Sequence, residues 1–181
     1  MSNSFKNRLE VQKIIRDVLS AGIEAMSLGE WDIMEFGNAS FQRTDKIILM
    51  NLLRSTRVGW QSTSYGDIDG VFSRTENICE EQSWQIHTIC KRKNDTTLDD
   101  ILAEDVATKL ILWLNGETGM AMLRQRGVAP LRIDAESILV YNDNSDLYQK
   151  RAVFTVKIQV PKEMSFGEIQ AEAIKPDVKP I

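Results

Sequence analysis

The stretch "RAVFTVKIQVPKE", residues 151–163, is the clearest strand in the chain, and the class of the fold turns on what can pair with it. Working back from it, "APLRIDAESILVY" (129–141) is a second strand, and the polar run "NDNSD" (142–146) joins the two as a hairpin. Further back, "SWQIHTICKRK" (83–93) is a third strand, with Trp84, Ile86 and Cys90 on its inner side. The stretch "KIILMNLLRSTRVGWQST" (46–63) is a fourth and long one, although its first part, Ile47 to Leu53, fits a helix equally well by periodicity. From Leu52 onward, Leu52, Arg54, Thr56, Val58 and Trp60 are expected on one face. Between these two strands lies "SYGDIDGVFSRTENICEEQ" (64–82), whose Gly, Asp, Ser and Asn content reads as an extended loop or a hairpin tip.

Helical spacing marks three other segments. In residues 4–22, Phe5, Leu9, Ile15, Val18 and Leu19 recur on one face, with Ser4 as the expected cap and Gly22 as the expected C-terminal stop. The following "IEAMSLGEWDIMEFGNAS" (23–40) has no clean period and reads as a connection with a possible turn of helix. In "TTLDDILAEDVATKLILWLNG" (96–116), Thr97 and Asp100 form a variant capping box. Leu98, Ile101, Leu102, Val106, Leu110 and Trp113 make its apolar stripe, and Asn115-Gly116 ends it. A short helix, "TGMAMLRQR" (118–126), runs up to Gly127. Clustered antiparallel strands with helices inserted between them predict an α+β fold, a mainly antiparallel sheet with helices on one face, a long loop and an extended C-terminal arm. The division expected is one domain over 1–165 and an arm over 166–181.

Composition narrows the function classes. The chain has 181 residues, 43% hydrophobic and 27% charged, as in an ordinary globular domain. No apolar run approaches the ~18 residues of a membrane span, and "MSNSFKNRLE" is not followed by a secretory h-region, so a cytoplasmic site of assembly is expected. The net charge of −4 argues against nucleic-acid binding by bulk electrostatics. His87, Cys79 and Cys90 offer three zinc ligands where a closed structural site needs four, and His87 and Cys90 point to opposite faces of one strand; a surface or boundary histidine is expected instead. "GETGMA" (116–121) lacks the Gly-Lys-Ser/Thr of a phosphate loop and reads as one helix capping into the next. Asp99, Asp100, Glu104 and Asp105 read as a solvated acidic face beside a helix N-terminus. With one histidine and no nucleophile elbow, neither an enzyme nor a cofactor or metal site is expected.

Two segments stand out for assembly. The 65–81 segment is far longer than the 2–5 residues of most hairpin connections and carries Asp67, Asp69, Phe72, Arg74, Glu76, Glu80 and Glu81, the candidate channel or partner residues. The terminal sixteen residues, "FGEIQAEAIKPDVKPI" (166–181), reach ~50 Å when extended, beyond the ~40 Å diameter of a body of about 165 residues. Ile169, Ala171 and Ala173 alternate with Glu168, Gln170 and Glu172 before Pro176 and Pro180 stop any long strand. Such a segment suits addition to the sheet edge of another subunit, with Phe166, Ile169, Ile174, Val178 and Ile181 as candidate contacts.

Over residues 45–160, the order and spacing of "RSTRVGWQSTSYGD" (54–67), "WQIHTICKRKNDTTLDDILAEDVATKL" (84–110) and "RGVAPLRIDAESILVYNDNSDLYQKRAVFTVKIQV" (126–160), with Arg151 and Phe154 opening the last strand, resemble tail terminator or neck (gateway) proteins of contractile-tailed bacteriophages. That resemblance implies a virion protein forming a hexameric ring at the head-proximal end of the tail. It would end the tail tube, meet the sheath and the head–tail connector or collar, and let DNA pass without specific binding. The acidic 67–81 segment would then face the tube, connector or channel and be removable without loss of folding. A collar or head-completion role in the same neck is the nearest alternative. A nucleic-acid-binding module built on Lys91, Arg92 and Lys93 is the alternative of another class.

Overall fold

The computed structural model describes residues 7–35, 46–68, 71–92, 102–131, 133, 136–142 and 148–167. Their elements run α1 (Arg8–Ala25), β1 (Asp32–Glu35), β2 (Lys46–Ile68), β3 (Val71–Arg92), α2 (Ala103–Asn115), α3 (Glu117–Gln125), β4 (Ala129–Pro130), β5 (Glu136–Asn142) and β6 (Tyr148–Gly167). The sheet order is β1-β2-β3-β6-β4, with β5 also on β6, and every pairing is antiparallel except β1 with β2. The fold is α+β, as expected from the sequence.

Period-two alternation sorts the strands into two faces. Ile48 and Met50 of β2, Trp84, Ile86 and Thr88 of β3, and Ala152, Phe154, Val156, Ile158 and Val160 of β6 turn one way. The helices cover that face, with Val11, Ile15, Val18 and Leu19 of α1, Val106, Leu110 and Leu114 of α2, and Leu123 of α3 joining the same cluster. Thr88, fully buried, donates its hydroxyl to the Ala103 carbonyl at 2.8 Å and so pins the start of α2 to the sheet. A smaller cluster, Ile47, Leu49 and Ile89 with Met34, lies on the opposite face.

Helix ends depart from the sequence reading for identifiable reasons. The α1 cap is Asn7, whose side chain accepts from the Glu10 amide at 2.9 Å while Glu10 accepts back from the Asn7 amide at 2.8 Å, a complete capping box. The expected cap Ser4 lies outside the described residues, as do Thr97 and Asp100. Gly22 does not stop α1; the helix continues to Ala25 because Gly22 is where α2 comes closest. A Cβ there would sit 2.7 Å from Cδ1 of Trp113. Gly116 caps α2 and opens α3, as its sequence suggested. Three residues on, Gly119 is buried so tightly that a Cβ would fall on the Trp113 carbonyl. The segment after α1, expected to be a connection, contains the short parallel strand β1, beside Trp31, whose indole N–H donates to the Leu28 carbonyl at 3.1 Å.

Two further corrections concern the strands. A register shift between Leu52 and Arg54 marks a bulge, so Leu52 packs against the helix-covered core while Arg54, opposite Ser83, belongs to the other face. The expected single face from Leu52 to Val58 is broken there. His87 is 6% exposed rather than on the surface, on the face away from the helices. Its Nδ1 accepts from Nε of Arg151 at 2.8 Å, which leaves Nε2 to donate to Oε1 of Gln85 at 2.9 Å and fixes the neutral tautomer. Burial, and then the Arg151 charge, push its pKa down from 6.5 to about 4.

Two measurements check this packing. Gly119→Ala raises helix propensity by ~1 kcal/mol, but its methyl meets backbone that cannot yield. A net loss of about 1–3 kcal/mol in urea unfolding is expected. For His87, the unfolded chain takes up a proton below pH 6.5 while the native imidazole resists until about 4. Stability should therefore fall as pH drops through that window, at most by about 1.4 kcal/mol per pH unit for one proton. His87→Gln should flatten the slope, and an unchanged slope would show that another group produces it.

Candidate assembly interface

The 64–82 segment, readable from sequence as a loop or a hairpin tip, is the hairpin. β2 and β3 stay paired out to Ile68 opposite Val71, and β6 follows β3 on its other side as far as Gly167 opposite Ser73. Polarity misled the loop reading. Gly, Asp, Asn and Glu are poor strand formers in isolation, yet β3 here is hydrogen-bonded on both edges and needs no apolar face to be held. At ~3.3 Å per residue, Val71–Cys79 carries the sheet, as a three-stranded ribbon, about 30 Å beyond Glu80, which is level with Val160, the last β6 residue of the main core. Among the described residues, α2 is the helix that packs on β3 and β6.

Ion pairs and amides do along the ribbon what the core does elsewhere. Gln82 is buried and accepts from the Trp84 indole at 3.1 Å, closing the core. Next along the same face, Glu80 meets Nζ of Lys162 on β6 at 2.6 Å and accepts from the Ser55 hydroxyl on β2 at 2.9 Å, so one carboxylate ties all three strands. Burial opposes its ionisation, but the bonds from Lys162 and Ser55 prevail and hold the carboxyl below the ordinary value. Toward the tip, Glu76 accepts from Gln61 and pairs with Arg74 at 3.2 Å.

The candidate residues named from sequence are thereby placed. Asp67 and Phe72 lie opposite each other in register next to the tip, and Asp69 is outside the described residues. Arg74, Glu76 and Glu80 share the helix-side face of the ribbon, whereas Glu81, opposite Thr56 and Gln159, belongs to the other. Glu76 and Glu80 are engaged within the ribbon, so they do not form a free acidic surface. The segment is also the partner of β6 from Val160 to Gly167, so its deletion would leave that stretch of β6 without β3 beside it. Phe166 stands in β6 opposite Arg74, while Ile169, Ile174, Val178 and Ile181 fall outside the described residues. Cys79 and Cys90 are eleven residues apart on one strand, about 36 Å, and cannot share a metal. Lys91 and Arg92 end β3 opposite Gln149 and Tyr148, and Lys93 lies outside the described residues.

Sequence reasoning missed Lys162 and Ser55. The one signal available was Lys162 standing two residues beyond Val160, at a position that continues the inward row of β6. Lys162→Met leaves Glu80 half-buried without its cation, and faster amide exchange is expected in ribbon residues 54–58 and 76–82 while α1 and α2 stay protected. Uniformly faster exchange would mean that the ribbon and the body unfold as one unit.

Comparison with known families bears on the whole of this architecture. No curated protein matches the chain. One family model, described as E217 gateway protein gp29, matches residues 10–166, a range that takes in the helices, the sheet and nearly all of the ribbon. The chain belongs to the E217 gateway protein gp29 family.

Proposed function

We propose that this protein is a structural component of the bacteriophage virion at the head–tail junction, forming a ring that terminates the tail tube and joins it to the head connector. The observation that carries the reading is the family match across residues 10–166, body and ribbon together. The ribbon adds physical support. A projection of about 30 Å, stitched at its base by Glu80, Lys162 and Ser55, has little reason to exist in a solitary globular protein, and long polar projections suit contact with neighbours. A six-fold ring uses a heterologous interface, in which different surfaces of each subunit meet, and a ribbon at one end of the molecule supplies one of them. In a sheathed, contractile tail the same ring would meet the last sheath subunits. DNA would pass through its opening without sequence-specific contacts, consistent with a net charge of −4.

Negative-stain imaging over a concentration series, with particles assembled in an infected host alongside, tests the reading. Six-fold rings with a central hole, and the protein at the neck of the particle, are expected. Particles lacking the protein should show tails of irregular length and heads without tails. Tails of normal length joined to heads would overturn the terminating and joining role, and a location at the collar alone would favour the head-completion alternative.

A further inference from the structure

Two stretches of sheet edge have no described strand beside them, β6 from Val160 to Gly167, which carries Pro161, and the outer side of β2. β1 pairs with β2 only from Ile47 to Met50, and from Leu53 onward the outer edge of β2 meets no other strand among the described residues. Open edges recruit strands, and proteins ordinarily guard them with bulges and charges. Here two bulges, at Leu52/Arg54 and Val58/Ser62, bracket a regular window of five residues, Arg54–Val58, in unbroken register with β3. Leu53 at 51% and Val58 at 38% exposure stand at its two ends, and Arg54 and Arg57 are exposed within it. Thr56 and Val58 lie on one face of this edge and Arg57 on the other, which suits an incoming strand that is apolar on one side and acidic on the other.

The chain carries one. After Gly167, opposite Ser73, fourteen residues remain, and their first part alternates Ile169, Ala171 and Ala173 with Glu168, Gln170 and Glu172. The stretch Ile169–Ala173 is five residues long, the same as the edge window. We infer that residues 168–174 of one subunit add as a strand to the Arg54–Val58 edge of a second copy of this chain, with the Ile169–Ala171–Ala173 row on the face of Thr56 and Val58 and the Glu168–Glu172 row on the face of Arg57.

Distance rules out the same molecule as donor. Gly167 is level with Gly66 of β2, through Ser73. To reach the window of its own β2, the segment would cross three strand spacings, ~14 Å, and run back along the sheet by the six residues from Ser73 to Cys79 of β3, ~20 Å. The straight path over those two legs is ~24 Å, about seven residues at ~3.3 Å each, which takes the chain to Ile174. The proline-free strand is then used up on arrival. Only a neighbour can present the edge within reach. This contact rests on the ring reading for its biological setting but not for its chemistry, which requires only that two copies meet.

Disulfide trapping in the full-length protein tests it. In a Cys79→Ala, Cys90→Ala background, a tagged Thr56→Cys copy is mixed with an untagged Ala171→Cys copy and oxidised, both as concentrated protein and within assembled particles. A mixed dimer is expected, and Arg57→Glu on the acceptor should cut its yield at least roughly ten-fold. Absence of the dimer in both preparations overturns the contact, as does a disulfide formed only within one chain when both cysteines are placed together. A dimer insensitive to Arg57→Glu would overturn the electrostatic match. Rings without the cross-link would leave the neck reading standing while removing this contact, and a cross-link without rings would do the reverse.

Discussion

Everything in this molecule hangs on β3 being paired along both edges. It meets β2 from Val71 to Cys90 on one side and β6 from Ser73 to Arg92 on the other, so nearly all of its length is paired on both edges. An unpaired buried backbone group costs about as much as a lost hydrogen bond, and a two-stranded hairpin alone is marginal in water. A third strand removes both problems. β6 has to be long because β3 is long, which is why the clearest strand of the sequence runs on past Pro161 to Gly167. Pro161 is tolerated opposite Cys79, on a strand whose outer edge is paired by β4 only at Gln159 and Ile158.

Along that one strand the stabilising chemistry changes. From Trp84 to Cys90 the inward side chains are sealed by helices, and burial of Trp84, Phe154 and the aliphatic residues around them supplies the driving force. From Gln82 outward the same positions hold Gln82, Glu80, Ile78, Glu76 and Arg74, so polar and charged side chains predominate. The Glu80–Lys162 pair is only partly buried, so its worth is modest and lies as much in fixing which strands meet as in stability. The division gives a rigid body and a separately stitched projection, an arrangement suited to a subunit whose work is to hold others. The single histidine belongs to the body, held neutral between Arg151 and Gln85.

The helices and the inner halves of β3 and β6 were legible because their patterns are local, whereas Ile47–Leu53 of β2 fitted helix and strand equally. Helical spacing needs no knowledge of neighbours: Ile15, Val18 and Leu19 fall on one face by helix geometry alone, and Trp84, Ile86 and Cys90 do so by the pleat. The resemblance to phage neck proteins rested on the order of those same elements, and the family match agrees with it. Three readings failed where the deciding partner is remote in sequence or leaves no mark on it. Gly22 looked like a stop because nothing near it reveals Trp113. His87 looked peripheral because Arg151 is 64 residues away. Leu52 and Arg54 were put on one face because a bulge leaves no residue signature strong enough to read.

The sequence by itself determined the α+β class, the order of the main elements and the lack of any recognisable reaction motif, since each follows from local periodicity or from residue types. Only the tertiary structure decided that the polar 64–82 segment is sheet rather than loop, and that Glu76 and Glu80 bind the ribbon together instead of facing outward. The physical reason is that strand formation in a polar segment depends on hydrogen bonds to other strands and on charges across them, none of which is written in the segment itself.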